Sequence, residues 1–162
     1  MVKKKLLIDN AKKTDLFLKS YLSKQVYSDL ILPMKYGSLS GGKKIRSSVV
    51  LGVGKLFNIS EKKLVNISAA VECIHSYSLI HDDLPCMDND KTRRGKPATH
   101  IKFGESTAIL AGNSLLTLAF EIIVDKNYKI ENKAKIELIK SLAHCSGHVG
   151  IAGGQYLDLN FE

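Results

Sequence analysis

Between Asp82 and Arg94 the chain places four carboxylates and two guanidiniums within thirteen residues: Asp82-Asp83-Leu84-Pro85-Cys86-Met87-Asp88-Asn89-Asp90, then Arg93-Arg94-Gly95 after a short gap. Carboxylates at this density repel one another unless a cation lies between them. Arginines directly behind them suggest an anion that shares the cation. Mg2+ with a diphosphate meets both demands, because Mg2+ uses only one or two protein carboxylates and completes its octahedron with phosphate oxygens and water. The competing reading is a solvated acidic turn at a helix C-terminus. There each carboxylate opposes the helix dipole by about 0.3–1 kcal/mol, which favours a metal partner.

Two cationic groups are candidates for the anion. In Gly41-Gly42-Lys43-Lys44-Ile45-Arg46 two glycines open a helix whose first turn carries three cations. A helix N-terminus presents free N–H groups and suits an anion, whereas cations there are otherwise unfavourable. Lys43 and Arg46 stand three residues apart and share a face, one offering a point charge and the other a bidentate fork. The motif alone is weak, and it is not a P-loop. Arg93 and Arg94 either point opposite ways toward two separate anions or form an exposed basic pair.

The elements that position these groups read as helices nearly throughout. Val71, His75, Ser78 and Asp82 fall at steps of four, three and four, which places His75 and Asp82 on one face of a helix over 61–83. Pro85 ends that helix, and the resulting bend returns Asp88 toward Asp82. Further helices are expected over about 3–23, 42–57, 104–125 and 131–147. Pro33 marks a break, 37–42 a small-residue loop, 91–103 an irregular connection, and Gly153-Gly154 a break or bend. Ser60 reads as an N-cap. No segment alternates long enough to claim a strand.

A length of 162 residues, with 44% hydrophobic and 25% charged residues, suits a single folded unit rather than a disordered chain. The net charge of +8 admits nucleic acid, a membrane surface or an anionic small molecule. Much of the excess lies in Lys3-Lys4-Lys5, Lys12-Lys13 and Lys62-Lys63, which read as solvated helix faces. No aromatic residues interleave with them, so no nucleic-acid partner is expected. Three cysteines without a CxxC pair argue against a disulfide framework or zinc and fit a cytoplasmic protein. The apolar window 106–124 contains Asn113 and Glu121 and reads as a buried core helix rather than a membrane span. His81 reads as a helix-face residue, and His144 with His148 lacks the third ligand zinc needs. Tyr77 and Phe103 read as core or groove aromatics.

The run from Glu72 to Gly95, with GGKKIR before it and GGQYLDL after it, resembles the short-chain trans-polyprenyl diphosphate synthases of bacteria, over about Tyr36 to Asp158. The resemblance implies an all-α isoprenoid synthase fold around a central cavity and Mg2+ as cofactor. It implies that Asp82 and Asp88 ligate the metal with Asp83 in support, and that Arg93 binds the allylic diphosphate. Lys43, Arg46, His75 and Arg94 match the site for isopentenyl diphosphate. Tyr77 and Ser78 match the chain-length position, where an aromatic resembles the farnesyl type; a geranylgeranyl type is the alternative. The family's second aspartate-rich motif and downstream Lys-Thr pair do not occur. The expectation is therefore one unit, residues 1–162, forming the N-terminal part of a synthase domain. That part is expected to be inactive alone and to cover its exposed apolar face with another copy. A non-catalytic or regulatory fragment, a cyclising or head-to-head enzyme and a basic nucleic-acid-binding module are the rival readings.

Overall fold

A computed structural model describes residues 2–161, with side chains from residue 5 onward, so Lys3 and Lys4 lie outside the described side chains. The described residues form α1 (Val2–Ser23), α2 (Ile31–Leu39), α3 (Ile45–Leu56), α4 (Glu61–Asp82), β1 (Thr92–Arg93), β2 (Lys96–Pro97), α5 (Thr99–Phe103), α6 (Glu105–Val124), α7 (Asn132–Ser146) and α8 (Ile151–Phe161). The all-α class expected from the pattern holds.

The centre is the pairing of α4 with α6, flanked by α1, α2 and α3. Small residues make that approach possible. Ala69, Ala70 and Cys73 on α4 meet Ala108, Ala111 and Ala119 on α6, with Leu115, Ile122 and Ile123 closing the remaining space. Burying this apolar surface is the main favourable term in folding. The segment 106–124 is accordingly a core helix on its inner face. Helix α6 is long and apolar enough to cross a membrane, yet much of it is packed inside the protein.

Several expectations need correction. Pro33 does not break the chain but occupies the first turn of α2, where its missing N–H costs nothing. The small-residue loop is therefore only 40–44, since Gly37 to Leu39 are helical. The connection 91–103 is ordered: Thr92 pairs with Pro97 and Arg93 with Lys96 in a two-residue hairpin, and α5 follows. Arg94 and Gly95 form its turn, both at positive φ (54° and 74°), the geometry a right-twisted hairpin demands. Gly153 and Gly154 lie inside α8 without breaking it, because a helix interior tolerates glycine at a modest cost. Ser60 stands at the N-cap of α4, but its hydroxyl makes no capping bond; its carbonyl accepts from Lys63 and Leu64.

The far side of the bundle is thinly covered. Helix α8 has no buried residue, and Tyr156, Leu157 and Phe161 are exposed, as are Ile109 and Leu110 on α6.

Candidate diphosphate and metal site

Helix α4 ends at Asp82, and the chain turns back on itself. The amide of Asp88 donates to the Asp82 carbonyl at 2.9 Å, and Met87 and Asn89 donate to the Leu84 carbonyl. Asn89 completes the turn at φ 54°, a conformation asparagine tolerates better than most residues. Pro85 thus sits in a closed turn that brings the two carboxylates together. Burial first, then the neighbouring charges of Asp88, Asp83 and Asp158, push the Asp82 carboxyl above the usual carboxylate range. Gln155 on α8 donates to Asp82 Oδ1 at 2.5 Å, so α8 closes over this end of α4. Among the described residues no three His, Cys, Asp or Glu side chains form a ready cage for a metal. An oxygen-only pair suits Mg2+, which requires no more than that from the protein.

Arg93 faces the same end. Its guanidinium donates to Asp83 Oδ1 through Nε at 2.8 Å and also through Nη2, and reaches Asp90 at 3.3 Å. Asp83 is only 2% exposed; burial drives its carboxyl upward, and Arg93 opposes that shift. Asp83 therefore orients Arg93. Arg94, the next residue, turns the other way through its positive φ and donates to the Gly41 carbonyl. The hairpin turn separates the two arginines between two sites. Gly42, at φ 105°, accepts this approach because a Cβ there would lie 2.7 Å from Arg94 Cζ.

The second site is cationic. Arg46 Nη1 lies 3.2 Å from His75 Nε2. Burial first, and then the charges of Arg46, Arg94 and Lys44, push His75 down to about 4. The ring is thus neutral at pH 7 and Nε2 accepts from Arg46, which leaves the proton on Nδ1. His75 and Asp82 are separated by two turns of α4, about 10 Å along the axis. Ser78 between them returns its hydroxyl to the His75 carbonyl at 3.0 Å.

The helical pairing expected for Lys43 and Arg46 does not occur. Helix α3 starts at Ile45, Lys43 is exposed in the loop, and Lys44 holds the N-cap position at φ 45°. Nor is the N-terminus of α3 wholly open to a ligand. Glu72 of α4 accepts from the Ser47 amide at 3.1 Å and the Ser47 hydroxyl at 2.9 Å. Lys44, the middle one of the three cations in that motif, is buried. Its ammonium donates to the Ser38 carbonyl at 2.7 Å and faces Asp15 at 3.4 Å and Glu72 at 3.6 Å. Sequence reasoning missed Glu72, although an acid inside the apolar run Ala69-Ala70-Val71-Glu72-Cys73-Ile74 was a readable signal. It also assigned no role to Gln155 or Asp158.

Below Asp82 a cleft of about 360 Å3 is lined by Tyr77, Ser78, Met87, Ile151, Tyr156 and Leu159, among others. Tyr77 stands edge-on to His81 at 5.4 Å, and His81 Nε2 lies 3.1 Å from the Ile109 carbonyl of α6. Phe103 packs against Tyr36 away from this cleft.

The family model for polyprenyl synthetases matches residues 28–162. The chain belongs to the polyprenyl synthetase family. It is 52% identical over 130 residues to the farnesyl diphosphate synthase of Escherichia coli strain K12, covering 80% of this chain and 44% of that protein. It is 43% identical over 129 residues to a chloroplastic geranylgeranyl pyrophosphate synthase of Catharanthus roseus, covering 80% of this chain and 36% of that one. Among solved structures, an FPP/GFPP synthase from Zymomonas mobilis superposes with a TM-score of 0.92 at 40% identity, covering 98% of this chain and 58% of the other. This polyprenyl synthetase chain thus spans about half the length of the relatives it matches.

Proposed function

We propose that this chain forms the two-diphosphate end of a trans-prenyltransferase that condenses isopentenyl diphosphate with an allylic diphosphate, dimethylallyl or geranyl, to farnesyl diphosphate. The observation that carries this reading is the division of charge along α4: Asp82 with Asp88 and Arg93 at its end, Arg46 with His75 and Arg94 two turns earlier. One site suits a diphosphate that arrives with a cation; the other suits a bare anion. The unit is residues 1–162, the N-terminal part of a synthase domain. The protein is read as cytoplasmic, with Cys73, Cys86 and Cys145 all free. The exposed apolar residues of α6 and α8 support association with another copy.

Asp82 and Asp88 would hold Mg2+, which when bound would supply positive charge for a leaving diphosphate. Arg93, set by Asp83 and Asp90, adds donors where charge grows as the allylic C–O bond breaks and its electron pair departs with the diphosphate. Arg46, Lys43, Arg94 and the His75 Nδ1 proton hold the diphosphate of isopentenyl diphosphate. Its double bond then forms the new C–C bond, and the proton lost from the adjacent carbon passes to the released diphosphate. Tyr77 and Ser78 wall the cleft that takes the growing tail.

Calorimetric titration tests the division. Isopentenyl diphosphate is expected to bind in metal-free buffer and to lose affinity in Arg46→Ala but not in Asp82→Asn. A non-ionising allylic thiodiphosphate is expected to bind only with Mg2+ and to show the opposite pattern. Equal losses for both ligands in both variants would overturn the assignment of two sites. Turnover assays with Mg2+ and both substrates then separate a condensing chain from one that only binds.

A further inference from the structure

The most deeply buried charges of the described bundle lie beside the cationic loop, not in it. The side chains of Lys44 and Glu72 are each only 1% exposed, and Asp15 faces them from α1. Lys44 also adopts a left-handed backbone at φ 45°, a region a lysine enters only when its surroundings hold it there. The surroundings do so from two directions. Ahead of Arg46, the Lys44 ammonium is tied to the Ser38 carbonyl, Asp15 and Glu72. Behind Arg46, the amide and hydroxyl of Ser47 both donate to Glu72 Oε1. One carboxylate therefore clamps the chain on both sides of Arg46. Glu72 lies on α4 nearly one turn before His75, the residue that Arg46 meets.

A buried ion pair of this kind is a weak source of stability, because a well-packed apolar pair often folds as well. What it supplies here is direction. We infer that Lys44 and Glu72 are positioning residues which fix the backbone from Gly41 to Ser47 and thereby aim Arg46 and Lys43 at the bound diphosphate. This rests on the reading of that loop as an anion site, and neither residue touches the ligand. Arg94 completes the clamp from the hairpin side through the Gly41 carbonyl.

The test replaces the pair as a unit, Lys44→Met with Glu72→Met, in the whole 162-residue chain. Inorganic diphosphate in metal-free buffer is the probe, read by calorimetry, and the His75 ring is followed by NMR. The double variant is expected to keep its helical circular dichroism while diphosphate affinity falls by about tenfold or more, the worth of one well-aimed charge-assisted hydrogen bond. The opposed charges of Lys44 and Glu72 act on His75 in opposite directions. A rise of its titration midpoint from about 4 toward 6.5 therefore reports that Arg46 has left the ring and water has taken its place. Unchanged affinity and an unchanged midpoint overturn the inference. If the parent chain does not bind diphosphate at all, the anion-site reading fails, and the His75 midpoint alone still decides whether the pair positions Arg46. Should the double variant not fold, Ser47→Ala serves instead. It removes one bond to Glu72 and no charge, and its expected smaller changes run in the same direction, with no change overturning the inference.

Discussion

Replacing Gly112 with alanine probes the contact that ties α6 to the wall of the cleft. A Cβ at Gly112 would lie 2.6 Å from His81 Cδ2 and closer still to Nε2. The ring must retreat by about an ångström to reach ordinary contact. It then gives up its bond to the Ile109 carbonyl, about 1 kcal/mol. It also gives up its edge contact with Tyr77, about another 1 kcal/mol. Alanine in a helix interior recovers about 0.5–1 kcal/mol relative to glycine. The expected result is a net loss of about 1–1.5 kcal/mol, or a midpoint lowered by about 2–6 °C for a chain of this size. Urea and thermal denaturation followed by circular dichroism measure it. The decisive control is the His81→Ala background, where no ring remains to be displaced. There Gly112→Ala is expected to change sign and stabilise by about 0.5–1 kcal/mol, giving a coupling of about 2 kcal/mol. An equal loss in both backgrounds would refute the reasoning, since the cost would then lie in the α4–α6 backbone packing and not in His81.

Two further outcomes follow from the same geometry. His75 is held down to about 4 by burial and by Arg46, against 6.5 when free. A depressed folded value means its contribution to stability is present above 6.5 and is lost as the pH falls toward about 4. Denaturation midpoints are expected to drop across that window, and His75→Gln is expected to flatten the step; a parallel pH profile for the variant contradicts this. Tyr77→Ala is expected to open the cleft below Asp82 and admit longer allylic thiodiphosphates, read as improved affinity for farnesyl over geranyl chain length; an unchanged preference removes Tyr77 from the wall.

Much of the site's chemistry was legible along the chain because it rests on local order. Pro85, three residues after Asp82 and three before Asp88, dictates a turn. The four-three-four spacing from Val71 to Asp82 dictates one face of α4, whatever packs against it. The adjacent pair Arg93-Arg94 was open to two anions or an exposed basic pair, and the hairpin turn that parts them was not read from the sequence. Short-range errors came where a rule describes tendency only. Proline is tolerated in a first helical turn and glycine inside a helix, so Pro33 and Gly153-Gly154 did not break their elements.

What the linear order did not contain was which charges face a ligand and which face one another. Lys43, Lys44 and Arg46 are chemically alike and adjacent, yet Lys44 is buried against Glu72 and Asp15 while Lys43 is exposed and Arg46 meets His75. That choice depends on a glutamate twenty-eight residues downstream from Lys44 and on the packing of α3 against α4. The same holds for Asp83, which differs from Asp82 only in being turned inward onto Arg93, and for Gln155, delivered to Asp82 from α8. By itself the sequence determined the residue types, the helical periods and the turn that crowds Asp82 and Asp88. Only the tertiary structure decided how those charges pair. Burial depends on which helices meet, and a buried charge must find its partner across them.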